Sequence, residues 1–311
     1  MNYIKSPLHY MGNKFELLPQ LIQIFPNDVD TFYDMFGGSG VVSLNVKAKD
    51  IIYNELNINT VNILKVFKKY TSNEIDQHIK KRIEEFDLPK SGNDVRQPTV
   101  TEKKIEYYKN NYIKFRKFYN DGQKLDLDLF TLTFFSFCNL FRFNNKNEFN
   151  MPFGNRSYTK DNFHEIQQTT YKMKRQAFKI KNCDVFDLLE TVVFGENDFV
   201  YLDPPYLNTE AIYNEKRAFG GWNINHDYKL FEALDKLNEK GIKWCLSNVK
   251  ENKGNMNTHL IKWAEKNNYR IIGMEKNYSA LGKGSANTHE VCIINYEYDG
   301  DGFKKTQLKL F

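Results

Sequence analysis

The residues with the most specific chemistry are Asp203, Pro204, Pro205 and Tyr206. They follow directly on an apolar run, Phe199-Val200-Tyr201-Leu202, which has the pattern of a buried strand. Two successive prolines cannot donate to a sheet ladder, so strand pairing has to end there. The sequence thus predicts a carboxylate held where a strand leaves its sheet, with an aromatic ring just beyond it. In open α/β sheets that carboxyl edge is where ligands bind.

An amine attached to a purine or pyrimidine ring is a poor nucleophile, because its lone pair is delocalised into the ring. Two acceptors aimed at its two N–H groups draw the nitrogen toward tetrahedral geometry and localise that lone pair. The Asp203 carboxylate can be one acceptor and the Pro204 carbonyl, on a stiff backbone, the other. The Tyr206 ring can stack on a base, as in enzymes that act on a base turned out of its helix. Such a set lacks an electrophile. The methyl group of S-adenosylmethionine would supply one, transferred in line from sulfur to nitrogen by positioning. A plain strand-ending turn with one buried Asp accounts for the same four residues, so the remainder of the chain has to decide.

The elements that would position these residues can be read in order. Tyr10-Met11-Gly12-Asn13 is a turn signal, and Lys14 opens a helix with Leu17, Leu18, Leu21 and Ile22 on one face. A lysine beside a glycine turn can pair with a carboxylate ligand, but alone it is more often a solvated charge. Residues 31–46 read as a short strand through Asp34, a turn containing Phe36, Gly37, Gly38 and Gly40, and a helix start. The glycines let the backbone pass close to a ligand, and their spacing differs from the dinucleotide and phosphate-loop fingerprints. A second strand over 51–54 ends at Glu55, placed to accept from ribose hydroxyls. A third, over 178–183, turns at Asp184 into a helix. Further helices are expected over about 227–240 and 256–267, and strands over 243–248, 269–275 and 289–296.

Strands alternating with helices predict a mostly parallel sheet. Residues 58–175 interrupt it with a mainly helical, basic stretch, in which Ile105, Tyr108, Tyr112, Phe115 and Tyr119 recur at helical spacing as a packing stripe. Polar loops are expected over 89–101, 207–225 and 278–288, and a fraying tail over 299–311.

Bulk properties narrow the classes. Lys and Arg number 44 against 39 Asp and Glu, a net charge of +5, which permits a nucleic-acid partner without demanding one. The four cysteines and six histidines are scattered without metal-ligand or redox spacing, so no metal site and reduced thiols are expected. No apolar run reaches the ~20 residues of a membrane span, and Met1 to Pro7 does not read as a signal peptide. Together these predict a cytoplasmic protein.

Several motifs in order carry a family resemblance. They are Tyr10-Met11-Gly12-Asn13-Lys14, Asp34-Met35-Phe36-Gly37-Gly38-Ser39-Gly40, Glu55, Arg142 with Phe149-Asn150-Met151-Pro152-Phe153-Gly154, Asp184, and Asp203-Pro204-Pro205-Tyr206. The chain resembles the Dam-type DNA adenine-N6 methyltransferases, including methylases of restriction systems, over nearly its whole length. The resemblance implies a methyltransferase-type Rossmann fold, α/β with a seven-stranded, mostly parallel sheet ending in an antiparallel hairpin. It implies a catalytic domain over 1–57 and 176–298 and a helical target-recognition insert over 58–175. S-adenosylmethionine would bind near Tyr10, Lys14, Asp34, Phe36, Gly37, Gly38, Gly40, Glu55, Asp184 and Asp203. Double-stranded DNA would be met by Leu140, Arg142, Asn144, Asn150 and Pro152, with Arg142 reading guanine. The target adenine, in GATC in the commonest family members, would be turned out against Asp203 and Tyr206. A cognate restriction endonuclease would be the partner in a two-enzyme system. The residues alone leave open a non-catalytic DNA-binding module and a methyltransferase acting on RNA. A protein glutamine amide is disfavoured as substrate, since those enzymes usually begin the motif with Asn.

Overall fold

A computed structural model describes residues 3–90, 101–207, 221–275 and 288–298. The loops expected over 89–101, 207–225 and 278–288 fall largely outside the described residues, and the 299–311 tail falls wholly outside them.

The sheet is built from β1 (Thr31–Asp34), β2 (Asp50–Asn54), β3 (Ala177–Lys181), β4 (Phe199–Leu202), β5 (Lys243–Asn252), β6 (Asn255–Met256), β7 (Arg270–Met274) and β8 (Thr288–Ile294). Seven of these lie in the order β3-β2-β1-β4-β5-β8-β7, and the two-residue β6 pairs only with the end of β5. The first five are parallel, while β8 runs antiparallel to both β5 and β7. The expected seven strands and terminal antiparallel hairpin are therefore present, with β6 as a small addition. β1 and β4 are neighbours from which the chain winds in opposite directions, so their carboxyl ends open a crevice at the switch point.

Period-two alternation divides the strand side chains between two faces. Phe32, Ile51, Phe199, Tyr201 and Cys245 join one buried cluster. Tyr33, Ile52, Val200, Leu202, Trp244 and Leu246 join the other. Nearly continuous apolar strands are what a sheet covered on both faces requires.

Helices α1 (Leu18–Ile24), α2 (Ile58–Lys69), α3 (Ser72–Glu85), α4 (Glu102–Asp121), α5 (Asp126–Thr133) and α6 (Lys160–Arg175) precede β3. Helices α7 (Val185–Thr191), α8 (Ile224–Glu239) and α9 (Thr258–Lys266) follow it. Local signals explain their starts. Thr71 and Glu74 form a reciprocal capping box at α3, Asn57 caps α2, and Thr159 caps α6. The aromatic stripe of α4 is packing: Tyr108, Tyr112, Phe115 and Tyr119 are all buried. α2 and α6 lie against β3, and the interior of the helical stretch shares the first cluster with the sheet. Inside that stretch Arg82 of α3 grips Asp128 of α5 with Nε–Oδ1 at 2.7 Å and an Nη–Oδ2 contact at 3.0 Å, and His78 Nε2 lies 2.7 Å from the same carboxylate.

The helix expected to start after the glycine turn does not form. Residues 39–45 are a run of turns instead. The Asn45 side chain donates to Val41 O at 2.7 Å, filling the acceptor that the Asn45 backbone N–H would use in an α-helix, and that N–H goes to Val42 O at 2.9 Å. Asn side chains that bond nearby backbone compete with helix in this way.

Candidate active site

β1, β2 and β4 end together around a cavity of about 310 Å³. Its walls include Tyr10, Lys14, Asp34, Phe36, Gly37, Gly38, Glu55, Asp184, Asp203, Pro204, Pro205 and Tyr206. Segments far apart in sequence are thus brought to one crevice, as read from their motifs. Gly40 is not part of the wall; a Cβ there would meet Leu64 at 3.1 Å.

The glycine turn is shaped by its neighbours. A Cβ on Gly37 would come within 2.0 Å of the Tyr53 ring, and one on Gly38 within 3.1 Å of the Tyr10 ring. Gly38 also has φ +49, a left-handed conformation that glycine takes without steric cost. Tyr53 Oη donates to Gly38 O at 2.6 Å, and the Gly38 N–H donates to Glu55 Oε2 at 3.0 Å. Glu55 Oε1 accepts from the Asn57 N–H at 2.8 Å. Each carboxylate oxygen retains acceptor capacity beyond one such bond, so Glu55 both braces the turn and faces the cavity. Asp184 caps α7, accepting from the Phe186 N–H at 2.8 Å.

Asp34 is buried at the cavity floor, with Ser43 Oγ donating to its Oδ2 at 2.6 Å. Its Oδ1 accepts from none of the described residues. Burial, with a smaller contribution from the Asp203 charge, pushes the Asp34 carboxyl up to about 7. An uncompensated acceptor in such a place suits a cationic or N–H-bearing ligand group.

Asp203 stands at the end of β4. Its Oδ2 is 2.7 Å from Lys14 Nζ, and its Oδ1 accepts from Tyr206 Oη at 2.7 Å. Burial raises the Asp203 pKa above the ordinary carboxylate range. The Lys14 ammonium and the Tyr206 hydroxyl oppose that rise, and the Glu290 charge adds to it. Lys14, read as a possible partner of a carboxylate ligand, is thus bound to a carboxylate of the chain itself. Its ammonium also lies 5.1 Å from the Tyr206 ring centre. Burial and the Asp203 charge hold the Tyr206 hydroxyl well above its usual pKa.

Sequence reading missed several wall residues. Trp222 lies in a stretch that reads as polar connection, yet its ring meets Phe36 edge-on at 5.5 Å and stacks on His226 at 5.2 Å and on Phe186 at 6.1 Å. Trp222 Nε1 donates to Asp227 Oδ1 at 2.6 Å, and His259 Nε2 lies 2.7 Å from Oδ2 of the same carboxylate. Glu290, in β8 and 4.0 Å from Lys14 Nζ behind the wall, carries no signal in the sequence either.

The residues read as DNA contacts lie outside the cavity wall. Leu140 packs on the core, and Pro152 is exposed. Asn144 organises a tight turn, accepting from the Lys146 and Glu148 N–H groups. Arg142 is exposed, its Nε donating to Asn150 Oδ1 at 2.8 Å and an Nη to Asn150 O at 3.3 Å. Phe141 touches Tyr10 with ring centres 6.5 Å apart, which ties this loop to the cavity rim. Among the described residues no cluster of His, Cys, Asp and Glu could hold a metal ion, none of the cysteines is bridged, and no helix is long and apolar enough to cross a membrane.

Comparison with known proteins places the chain among relatives. The family model described as D12 class N6 adenine-specific DNA methyltransferase matches residues 10–279. Modification methylase StsI of Streptococcus sanguinis is 38% identical over 300 residues, covering 95% of this chain and 43% of that protein. Type II methyltransferase M.FokI of Planomicrobium okeanokoites is 37% identical over 302 residues, with the same 95% and 43% coverage. A DNA adenine methylase of Haemophilus influenzae is 29% identical over 202 residues, covering 64% of this chain and 63% of that protein. The chain spans less than half the length of the first two relatives.

Proposed function

Because the chain belongs to the D12 class of N6 adenine-specific DNA methyltransferases, we propose that it methylates N6 of an adenine turned out of double-stranded DNA, with S-adenosylmethionine as donor. The observation that carries this reading is Asp203, held at the end of β4 on the rim of a cavity that Asp34, Glu55 and the glycine turn also line.

The residues present fit that donor. The unsatisfied Asp34 oxygen suits an ammonium, Glu55 suits ribose hydroxyls, and Phe36, Phe186 and Trp222 suit a purine face. When bound, the donor supplies a methyl group on a positively charged sulfur. The chain's own residues prepare the acceptor. The Asp203 carboxylate and the Pro204 carbonyl accept the two N–H bonds of the target amine and localise its lone pair. Pro204 and Pro205 stiffen the backbone that presents them, and the Tyr206 ring packs on the base. The amine nitrogen takes the methyl as the sulfur–methyl bond breaks and then gives up one N–H proton to water, so positioning rather than a proton-transfer group carries the step. An ionised Asp203 is the stronger acceptor, and in the resting site Lys14 offsets part of the burial cost that opposes ionisation.

Residues 58–175 form the target-recognition region in this reading, with Arg142 as guanine reader, and GATC is the first sequence to test. The names of the relatives suggest a restriction–modification setting with a cognate endonuclease. Incubation with labelled S-adenosylmethionine and separate pools of DNA and RNA, followed by digestion to nucleosides, tests the reading. N6-methyldeoxyadenosine is expected, and modified-base sequencing of the product gives the site. Asp203→Ala should abolish transfer and keep donor affinity within roughly tenfold, about 1.4 kcal/mol. Label in RNA alone, or full activity in Asp203→Ala, would remove the proposal.

A further inference from the structure

Three charged side chains from distant parts of the chain converge at the acceptor. Lys14 Nζ is 2.7 Å from Asp203 Oδ2 and 4.0 Å from Glu290 Oε2, and it donates to Gly12 O at 3.1 Å. Lys14 is 4% exposed and Glu290 8%, so their charges are weakly screened. One ammonium therefore has a near carboxylate, within hydrogen-bond distance, and a second just beyond it.

Asp203 is already engaged on both oxygens, by Lys14 and by Tyr206. The proposed reaction needs it to accept from the target amine. Each oxygen keeps a further acceptor position, but the Lys14 ammonium draws on the same carboxylate charge that the amine has to share, and a buried ammonium cannot simply be left without a counter-charge. Glu290 is the nearest alternative. It lies in an interior strand, opposite Val249 of β5 and Met274 of β7, so its backbone is fixed. A movement of about 1 Å by the Lys14 side chain would turn the 4.0 Å contact into a charge-assisted hydrogen bond of ordinary length.

Resting on the function proposed above, we infer that Glu290 is a positioning residue. It takes over the Lys14 ammonium when an extruded adenine engages Asp203. Lys14 holds the acceptor carboxylate until a base arrives, and Glu290 is the ammonium's second seat. The exchange keeps one ammonium paired throughout and leaves Asp203 free for the amine.

Glu290→Gln removes the charge and nearly preserves the shape. In the full chain it should lower the single-turnover methyl-transfer rate at least tenfold, with the S-adenosylmethionine Kd within threefold of wild type. A duplex with 2-aminopurine at the target position should show a smaller fluorescence rise on binding, because the base competes with a fixed ammonium. Lys14→Met supplies the decisive background. There, adding Glu290→Gln should not lower the rate further, since no ammonium needs a second seat. Such a cycle isolates the coupling of the two residues from general damage. If Glu290→Gln transfers within twofold of wild type, or if the two substitutions multiply, the inference is overturned. A wild-type protein that methylates no DNA removes the proposed function, and the inference with it. An active wild type with an indifferent Glu290 removes the inference alone.

Discussion

Arg142 presents a guanidinium that is only partly used. Asn150 takes its Nε–H and one Nη–H, and a guanidinium has five N–H donors in a fixed fork. The remaining donors suffice for a two-pronged contact to guanine O6 and N7, and the Asn150 contacts hold the fork in advance, which reduces the ordering cost of binding. Arg142→Ala should therefore relax discrimination at one base pair by about 1–3 kcal/mol. Relative methylation rates on cognate and singly substituted duplexes would show it, and unchanged ratios would make Arg142 purely structural. Asp34 gives a second prediction at this scale. Its folded pKa of about 7 lies above that of an unfolded Asp, so the folded chain keeps a proton that the unfolded chain releases. The associated stability is present at acid pH and is lost as pH rises toward 7. Asp34→Asn should flatten this dependence, gaining on wild type at pH 8 by about 1.4 kcal/mol for each unit of raised pKa. Urea midpoints at pH 5 and pH 8 would measure it, and parallel curves would speak against it. The types of Asp34 and Asp203 were legible in the sequence. The seat of Lys14 was not, because its partners are brought to it by β4 and β8 from far along the chain.

At the level of elements, the segment from Phe135 to Gly154 is held as one unit. Phe137 N–H donates to Pro152 O and Gly154 N–H to Phe135 O, while Tyr112 and Arg116 of α4 both donate to Met151 O at 3.0 Å. Cys138 and Asn139 take left-handed φ values of 56 and 57, and Phe137 is left 56% exposed. A Cβ at Gly154 would fall 2.2 Å from Ser136 O, a backbone atom that cannot rotate away. Gly154→Ala should cost about 1–3 kcal/mol of stability, as overpacking does. It should weaken DNA binding while S-adenosylmethionine affinity stays the same. Thermal denaturation and titration with each ligand would separate these effects, and an equal loss of both affinities would count against the loop acting as a unit. Strands and helices were readable where their signals are local: a proline stop after β4 and the period of the α4 stripe. The turns after Gly40 and the wall formed by Trp222 were not. Each depends on a side-chain bond or ring contact that only the assembled fold provides.

Across the whole molecule, the question is whether the helical stretch over 58–175 folds separately from the sheet. Phe67, Tyr112, Phe115 and Phe130 from that stretch share one buried cluster with Phe32, Tyr53, Phe178 and Tyr201 from the strands. Lys68 of α2 donates to the Phe178 carbonyl in β3, and Gln176, just past α6, donates to Ala48 O before β2. Removing the helices would strip one face of a sheet that needs both covered. Unfolding should therefore be a single transition. The sequence supplies its own probes. All three tryptophans, Trp222, Trp244 and Trp263, belong to the opposite face of the sheet, while α2 to α6 contribute most of the described helix. Tryptophan fluorescence therefore reports the sheet's far side, and far-ultraviolet circular dichroism is weighted toward the inserted helices. Coincident urea midpoints from the two probes are expected, as cooperative unfolding requires. A circular-dichroism transition that precedes the fluorescence transition would instead show a helical stretch able to melt while the sheet stays folded.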